Sequence, residues 1–343
     1  MLSGSDDAER MVADADEALG ALEAFELTDQ VAQAMITRGT VLGAALGRLH
    51  QGKALIKGGI EISDEAGYAF TSIRGRVNLS YVASVEEPLV GFEATKEAYE
   101  IARRTGQRGM ALFQNHQVAA WHNFRGELDE SDAVTSDPIL EGAPANNRGS
   151  SVIQRGRAAD LRGDSAGAAA SYADAEALLE DSEDVQVVEA LHEFAASRHL
   201  MEGRFDEAYA ASIASAKQST RPVAYTTTNA LLAAFLTGNR DWLAELNQLY
   251  RDAGVTARFQ AAYTADLIAL IDDPTPGNLR AVEAHIAEYD EWQGALLVTF
   301  LVAGLARYGP ESERERFDTD FRSRADKYGY QGILRLYEET PDN

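Results

Sequence analysis

The chain contains no cysteine. Disulfide bonds, thiolate zinc sites and cysteine nucleophiles are therefore excluded. The six histidines are scattered without the H-E-x-x-H spacing of a zinc helix, and the serines lack the G-x-S-x-G context of a hydrolase nucleophile. With no catalytic residue and no metal ligand to nominate, we expect a protein that is not an enzyme and binds no cofactor.

Long apolar runs are also missing. The longest, such as residues 295–305, are too short to cross a bilayer, and the first seven residues lack the basic and apolar regions of a signal peptide. A cytoplasmic protein is therefore expected.

Positive charge is in short supply. The chain has 31 Lys and Arg residues against 55 Asp and Glu residues, which gives a net charge of -24. A field of this sign disfavours nucleic acid and anionic membrane surfaces as partners. Solubility is the simplest reason for such a charge, and an acidic docking surface is the alternative.

Proline is scarce as well, with eight residues that lie mostly between the predicted elements. Alanine, leucine, glutamate and arginine dominate, and apolar residues recur at helical spacing, as at Val31, Met35, Leu42 and Leu46. No segment shows the alternation of a half-buried strand. The sequence predicts an all-α fold.

A pattern of small residues recurs about every 35 to 40 positions. A small residue follows most of the predicted turns by five positions, and Glu86 occupies one turn position that lacks a glycine. Periods of this size are typical of solenoids, in which each repeat packs on its neighbours. The predicted turn glycines are Gly47, Gly126, Gly163, Gly203 and Gly238, and the small residues are Gly52, Ser131, Ala168 and Ala208.

The turns predict an α-solenoid of about seven or eight antiparallel hairpins. A capping helix is expected near 6–24, and a short helix near 330–338 would close the other end. Pro138 predicts that the helix around it is short or broken. The hairpins pair helices near 28–46 and 51–65, 68–84 and 88–104, 107–124 and 128–139, 147–161 and 165–181, 184–201 and 205–218, 222–236 and 240–253, 256–271 and 276–290, and 292–307 and 311–328.

Small residues also stand at the expected helix crossings. Gly59, Ala98 and Ala175 lie twelve positions after a turn position, and Ala119 and Gly156 lie seven before one. Two helices that approach closely need small side chains where they cross. In this spacing the chain resembles the tetratricopeptide (TPR) repeats. The resemblance implies a right-handed superhelix, with a capping helix at 1–27, repeats at 28–255 and divergent hairpins with a cap at 256–343.

Two segments carry a narrower resemblance. They are 46–55, Leu-Gly-Arg-Leu-His-Gln-Gly-Lys-Ala-Leu, which Ile-Glu-Ile-Ser follows at 60–63, and 99–106, Tyr-Glu-Ile-Ala-Arg-Arg-Thr-Gly. They are similar to the repeats C-terminal to the ATPase modules of bacterial class III nucleotide cyclases and large LuxR-type transcription regulators. This resemblance implies a bacterial regulatory protein in signal transduction. The cyclase, ATPase and DNA-binding motifs of those proteins are not present in the chain.

The segment 47–53 also matches the phosphate-loop pattern G-x-x-x-x-G-K. A working loop needs a Ser or Thr after the lysine and a strand before the first glycine. Ala54 follows here, and the preceding residues are predicted to be helical. A turn at Gly47 and a helix crossing at Gly52 explain both glycines without a nucleotide.

The TPR resemblance implies that the first helix of each hairpin lines a concave groove. Positions ten, six and three before each turn would point into it and form a polar track. Arginines in such a track could hold a partner's carboxylates by bidentate bonds, or they could pair with neighbouring acidic residues of the same chain. The polar track comprises Arg76, Ser80, His116, Asn123, Arg157, Asp160, Glu193 and Ser197.

These observations lead to two hypotheses about function. The first is a non-catalytic protein-interaction or regulatory scaffold that binds a peptide or protein partner in its groove, for which an acidic segment would suit the arginines. The second is the C-terminal sensor region of a multidomain bacterial signalling protein, which would bind a partner or a small-molecule ligand. In either case catalysis would belong to another domain.

Overall fold

The computed structural model describes residues 5–84, 87–219 and 223–340. The chain divides into two compact units, Met1–Val118 and Ala119–Asn343. All regular secondary structure in the described residues is helical, which confirms the all-α prediction. Among the helices in these ranges, none combines the length and the hydropathy of a membrane-spanning segment.

The first unit consists of consecutive helices that pack in pairs. Helices α2 and α3 form one pair and α4 and α5 the next, and α3 also packs against α4. Ile36, Ile56 and Ile73, one from each of the first three helices of these pairs, are fully buried between them. The helices are α1 (Ser5–Ala24), α2 (Thr28–Thr40), α3 (Leu49–Ala66), α4 (Ala69–Ala83), α5 (Pro88–Arg104) and α6 (Arg108–Arg125), and the unit boundary falls inside α6.

The second unit continues the pairwise packing, with α8 on α9 and α10 on α11. A large apolar core that includes Tyr250, Tyr263, Phe300 and Phe321 joins its later helices. The helices are α7 (Leu128–Thr135), α8 (Ala145–Arg162), α9 (Ser165–Leu179), α10 (Val185–Met201), α11 (Phe205–Gln218), α12 (Val223–Thr226), α13 (Thr228–Thr237), α14 (Arg240–Ala253), α15 (Arg258–Asp272), α16 (Pro276–Glu291), α17 (Ala295–Tyr308), α18 (Glu311–Tyr328) and α19 (Gln331–Glu339).

The turns lie where the sequence places them. All five predicted turn glycines have positive φ, from 62° at Gly238 to 84° at Gly163. This left-handed conformation ends a helix at little cost only in glycine. The register position at Glu86 and the predicted helix start at 222 lie outside the described residues.

The predicted small residues lie at close helix crossings. Ala98, Ala168 and Ala175 are fully buried. In the first unit, a Cβ atom on Gly52 of α3 would lie 2.5 Å from the carbonyl oxygen of Gly39 on α2. The backbones of α2 and α3 are therefore in contact at this crossing. The residues that precede Gly47 are helical, whereas a phosphate loop would need a strand there.

Gly52→Ala is therefore expected to destabilise the protein by about 2 kcal/mol, because α2 and α3 would have to separate to admit a methyl group. Gly20→Ala is the matched control, since a Cβ atom at this position in α1 meets nothing within 4 Å. The control is expected to be neutral or slightly stabilising. Urea denaturation of both variants measures the difference, and equal stability would contradict the close crossing.

Three helices differ from their predicted extents. The helix expected at 28–46 changes into a π-helical turn at Val41–Ala45. α7 ends at Thr135, and a short 3-10 turn follows at Pro138–Leu140, as Pro138 predicted. The helix expected at 222–236 is broken between α12 and α13. Ser212 on α11 donates a hydrogen bond to the carbonyl oxygen of Thr226, which takes this oxygen from the helical ladder.

The short helix predicted near 330–338 is present as α19, and the later helices of this unit pack against much earlier ones. α17 packs against α13, and α19 packs against α8 and α10. Leu336 of α19 lies beside Gly203, and a Cβ atom on Gly332 would overlap the carbonyl oxygen of Asp160. The C-terminal helix therefore covers turns that lie more than a hundred residues earlier in the sequence.

Candidate functional site

In the first unit, Arg76 of the polar track is already paired within the chain. Its Nε donates to Glu97 of α5 at 2.7 Å, its Nη2 to Asp64 of α3 at 2.9 Å and its Nη1 to Ser72 at 2.6 Å. The guanidinium points between α3 and α5, which are the second helices of successive hairpins. These contacts agree with the alternative in which Arg76 pairs with acidic residues of the same chain.

The pKa values of this cluster reflect the pairing. Burial alone would raise the pKa of Asp64, but hydrogen bonds from Arg76 and Ser72 lower it. Burial likewise opposes the charged form of Arg76, and the hydrogen bonds to Asp64 and Glu97 raise its pKa. Each group therefore stabilises the charged form of its partner.

The other two track residues of this unit point in different directions. Ser80 Oγ lies 2.6 Å from Thr95 Oγ1 on α5. His116 is half-buried, its ring stands edge-on to Phe113, and its Nε2 lies 3.0 Å from Gln117 Nε2. The structure therefore brings Arg76 and Ser80 to α5, and His116 contacts Phe113 and Gln117 of its own helix.

Arg76 marks an open cleft of about 560 Å³ between α3 and α5, which we call the α3–α5 cleft. Arg76 and Leu79 of α4 form its floor, and the facing sides of α3 and α5 form its walls. A volume of this size is within the range of binding pockets in proteins. The wall residues are Lys57, Ile60, Glu61, Asp64 and Glu65 from α3, and Leu89, Val90, Glu93, Ala94 and Glu97 from α5.

In the second unit, the structure brings four track residues to α8 and α10. Arg157 Nη2 of α8 lies 3.6 Å from Glu193 Oε2 of α10. Asp160 accepts a hydrogen bond at 2.8 Å from Arg198, which directly follows Ser197. Glu193 is 8% exposed and Asp160 only 2%. Charged side chains of α8 and α10 thus pair with each other, and little of either carboxylate is accessible to a partner protein.

Asn123, the remaining track residue, is also buried. Its side-chain Nδ2 donates to the main-chain carbonyl oxygen of Gln154 at 3.0 Å. Its main-chain carbonyl oxygen accepts a hydrogen bond from the hydroxyl group of Tyr330. These contacts join the end of α6 to α8 and to the start of α19. Ser197 lies half-buried on α10.

Asp160 has the most perturbed carboxyl group of the polar track. Burial raises its pKa to about 7, against the attraction of Arg198 and of Arg335 on α19. Its second oxygen, Oδ2, makes no hydrogen bond with the described residues. Arg335 itself donates to Ser165 at 2.9 Å. α19 covers this part of α8, since Gly332 lies against the main-chain carbonyl oxygen of Asp160.

Within the described residues no three His, Asp or Glu side chains are grouped so that they could hold a metal ion. The lining of the α3–α5 cleft combines apolar and charged side chains, an arrangement that suits recognition of another molecule's surface.

Sequence reasoning missed the second helices of the hairpins. The polar track was counted only along the first helices, so it did not include Glu61, Glu65 and Glu93. One signal was available: Glu61 with Glu65 and Glu93 with Glu97 are like charges four residues apart, which destabilise a helix. Acidic pairs at this spacing on successive second helices would have predicted an acidic face there.

No protein-family model matches the chain, and the comparison with curated proteins finds no match.

Proposed function

We propose that this protein is a non-catalytic interaction scaffold of TPR-like helical repeats, arranged as a right-handed superhelix, and that it binds a peptide or protein partner. The observation that carries the proposal is the α3–α5 cleft, an open space of about 560 Å³ with apolar and charged walls. Solenoids present such extended surfaces because each repeat adds one helix to a continuous face.

The proposal places the partner on the second helices of the hairpins. The contacts of the polar track support this choice, because Arg76 is paired with Asp64 and Glu97, and Asp160 with Arg198. A partner that used these arginines would first have to break charge-assisted hydrogen bonds. The cleft also has carboxylates outside these pairs, because Glu61, Glu65 and Glu93 line it and are exposed.

The absence of cysteine allows a site-specific test. Val90→Cys introduces one thiol inside the cleft, and Lys96→Cys introduces one on an exposed position of the same helix outside it. Peptides are selected from a random display library on the unmodified protein. Their affinity is then measured for each variant before and after attachment of a bulky maleimide.

The label at position 90 is expected to weaken the selected peptides at least about tenfold, because it fills the cleft, and the label at position 96 should leave them unchanged. Equal affinity for both labelled proteins would show that the peptides bind elsewhere and would refute the cleft as the site. A library that yields no ligand would count against the scaffold function itself.

A further inference from the structure

We infer that the α3–α5 cleft receives a basic amphipathic helix of a partner protein, which lays its apolar stripe on the floor and directs lysine or arginine side chains to the acidic walls. This inference rests on the proposed function and specifies the chemistry of the partner. A basic partner has the opposite charge to the acidic segment that the arginines of the polar track would suit.

The apolar part of the cleft is continuous across three helices. Ile60 of α3, Leu79 of α4 and Ala94 of α5 are buried at its base, and Leu89 and Val90 are half-buried beside them. The exposed parts of Leu89 and Val90 in particular gain free energy when an apolar stripe covers them. A helix supplies such a stripe from residues three and four apart.

The charge of the cleft sets the sign of the partner. Five carboxylates line it against two cations, Lys57 and Arg76. Arg76 already forms ion pairs with Asp64 and Glu97. Among the described residues, the other three carboxylates form neither hydrogen bonds nor ion pairs, and all three are exposed; they are Glu61, Glu65 and Glu93.

The spacing of these carboxylates suits a helical partner. The α3 wall runs from Lys57 to Glu65, which at 1.5 Å per residue is about 12 Å, or two turns of a facing helix. Glu61 and Glu65 repel each other across one turn, and a cation from a partner would relieve that repulsion. Basic residues on either side of an apolar stripe would face α3 and α5 together.

The test uses four fluorescein-labelled peptides of about 15 residues and the full chain. Three share one leucine and isoleucine stripe and carry lysine, glutamate or glutamine on the flanks. The fourth has the composition of the lysine peptide in a scrambled order that destroys the stripe. Fluorescence anisotropy gives the affinity of each at low and at physiological salt.

The lysine peptide should bind at least about tenfold more tightly than the other three, and added salt should weaken it. The triple variant E61Q/E65Q/E93Q should lose about tenfold in affinity for it, since three exposed ion pairs are removed. The control E9Q/E17Q/E23Q removes the same charge from exposed positions of α1 and should bind like the wild type.

Each alternative result has a distinct meaning. Equal binding of the scrambled lysine peptide would show simple charge attraction and overturn the helix. Equal or tighter binding of the glutamate or glutamine peptide, or no effect of the triple variant, would overturn the basic partner while the proposed function stands. If no peptide binds and library ligands are insensitive to the label at position 90, both proposals fail.

Discussion

Gly332→Ala is expected to release α19 from α8 and to destabilise the protein by about 3 kcal/mol. The added methyl group would overlap the carbonyl oxygen of Asp160, and the nitrogen of Gly163 would lie 3.1 Å away. Both are backbone atoms, and neither can turn aside as a side chain would. The helix must therefore move as a unit.

Displacement of α19 would expose apolar surface. Ile333 is fully buried and Leu336 is 2% exposed. Each buried side chain of this size contributes roughly 1.5–3 kcal/mol, and part of this is lost if the helix shifts. Arg335 would also lose its hydrogen bond to Ser165.

Urea denaturation measures the stability, and hydrogen exchange of residues 331–339 measures whether the helix stays docked. Gly277→Ala is the control, because a Cβ atom there meets only Thr275 Oγ1, at an ordinary distance of 3.8 Å. If Gly332→Ala keeps the stability of this control and the amides of α19 stay protected, the close contact with α8 does not exist.

The second large effect concerns the buried carboxyl group of Asp160. Its pKa is raised from 3.8 in the unfolded chain to about 7 in the folded protein. Desolvation is the main cause. Arg198 and Arg335 oppose the increase, and Glu202, which directly follows α10, adds to it.

The sign of the pH dependence follows from proton binding. Between about pH 4 and pH 7 the folded protein holds this proton and the unfolded chain does not, so ionisation of Asp160 lowers the free energy of unfolding as the pH rises. This loss of stability is absent below the pKa of Asp160 in the unfolded chain. It is complete above the pKa of Asp160 in the folded protein. A pKa difference of roughly three between the two states corresponds to about 4 kcal/mol.

Asp160→Asn removes the ionisation and keeps an oxygen that can accept from Arg198. The stability of the variant relative to wild type is therefore expected to increase with pH, by up to about 4 kcal/mol between pH 4 and pH 8. Urea denaturation across this range provides the measurement. Asp174→Asn, at an exposed position on α9, is the control for loss of one carboxylate.

A constant difference between Asp160→Asn and wild type at every pH would show that the carboxylate is ionised at neutral pH and well solvated. A difference that falls as the pH rises would mean that the pair with Arg198 outweighs burial and lowers the pKa of Asp160.

The helices themselves could be predicted because their signals are local. α5 begins at Pro88 and ends at Arg104, as predicted, since proline favours a first turn and Gly106 ends the helix just beyond it. The small residues at Gly52 and Ala98 likewise indicate close crossings without knowledge of the partner helix. Periodicity, turn glycines and small residues depend on neighbours a few positions away.

The charged contacts could not be predicted in this way. Arg76 pairs with Asp64 of α3 and Glu97 of α5, and both helices differ from its own. These pairs form because its side chain extends between α3 and α5. The same is true of the α3–α5 cleft, whose walls come from helices separated by α4. A register counted along one helix does not show which face its neighbours leave open.

By itself the sequence determined an all-α chain of paired helices, the positions of nearly all of their turns and the close approach of the pairs. Only the tertiary structure decided that Asp160 is buried, that α19 returns to α8, and that an open acidic cleft lies on the second helices. The physical reason is distance along the chain. Helix formation and turning depend on nearby residues, whereas burial, pKa and clefts depend on which distant side chains meet in space.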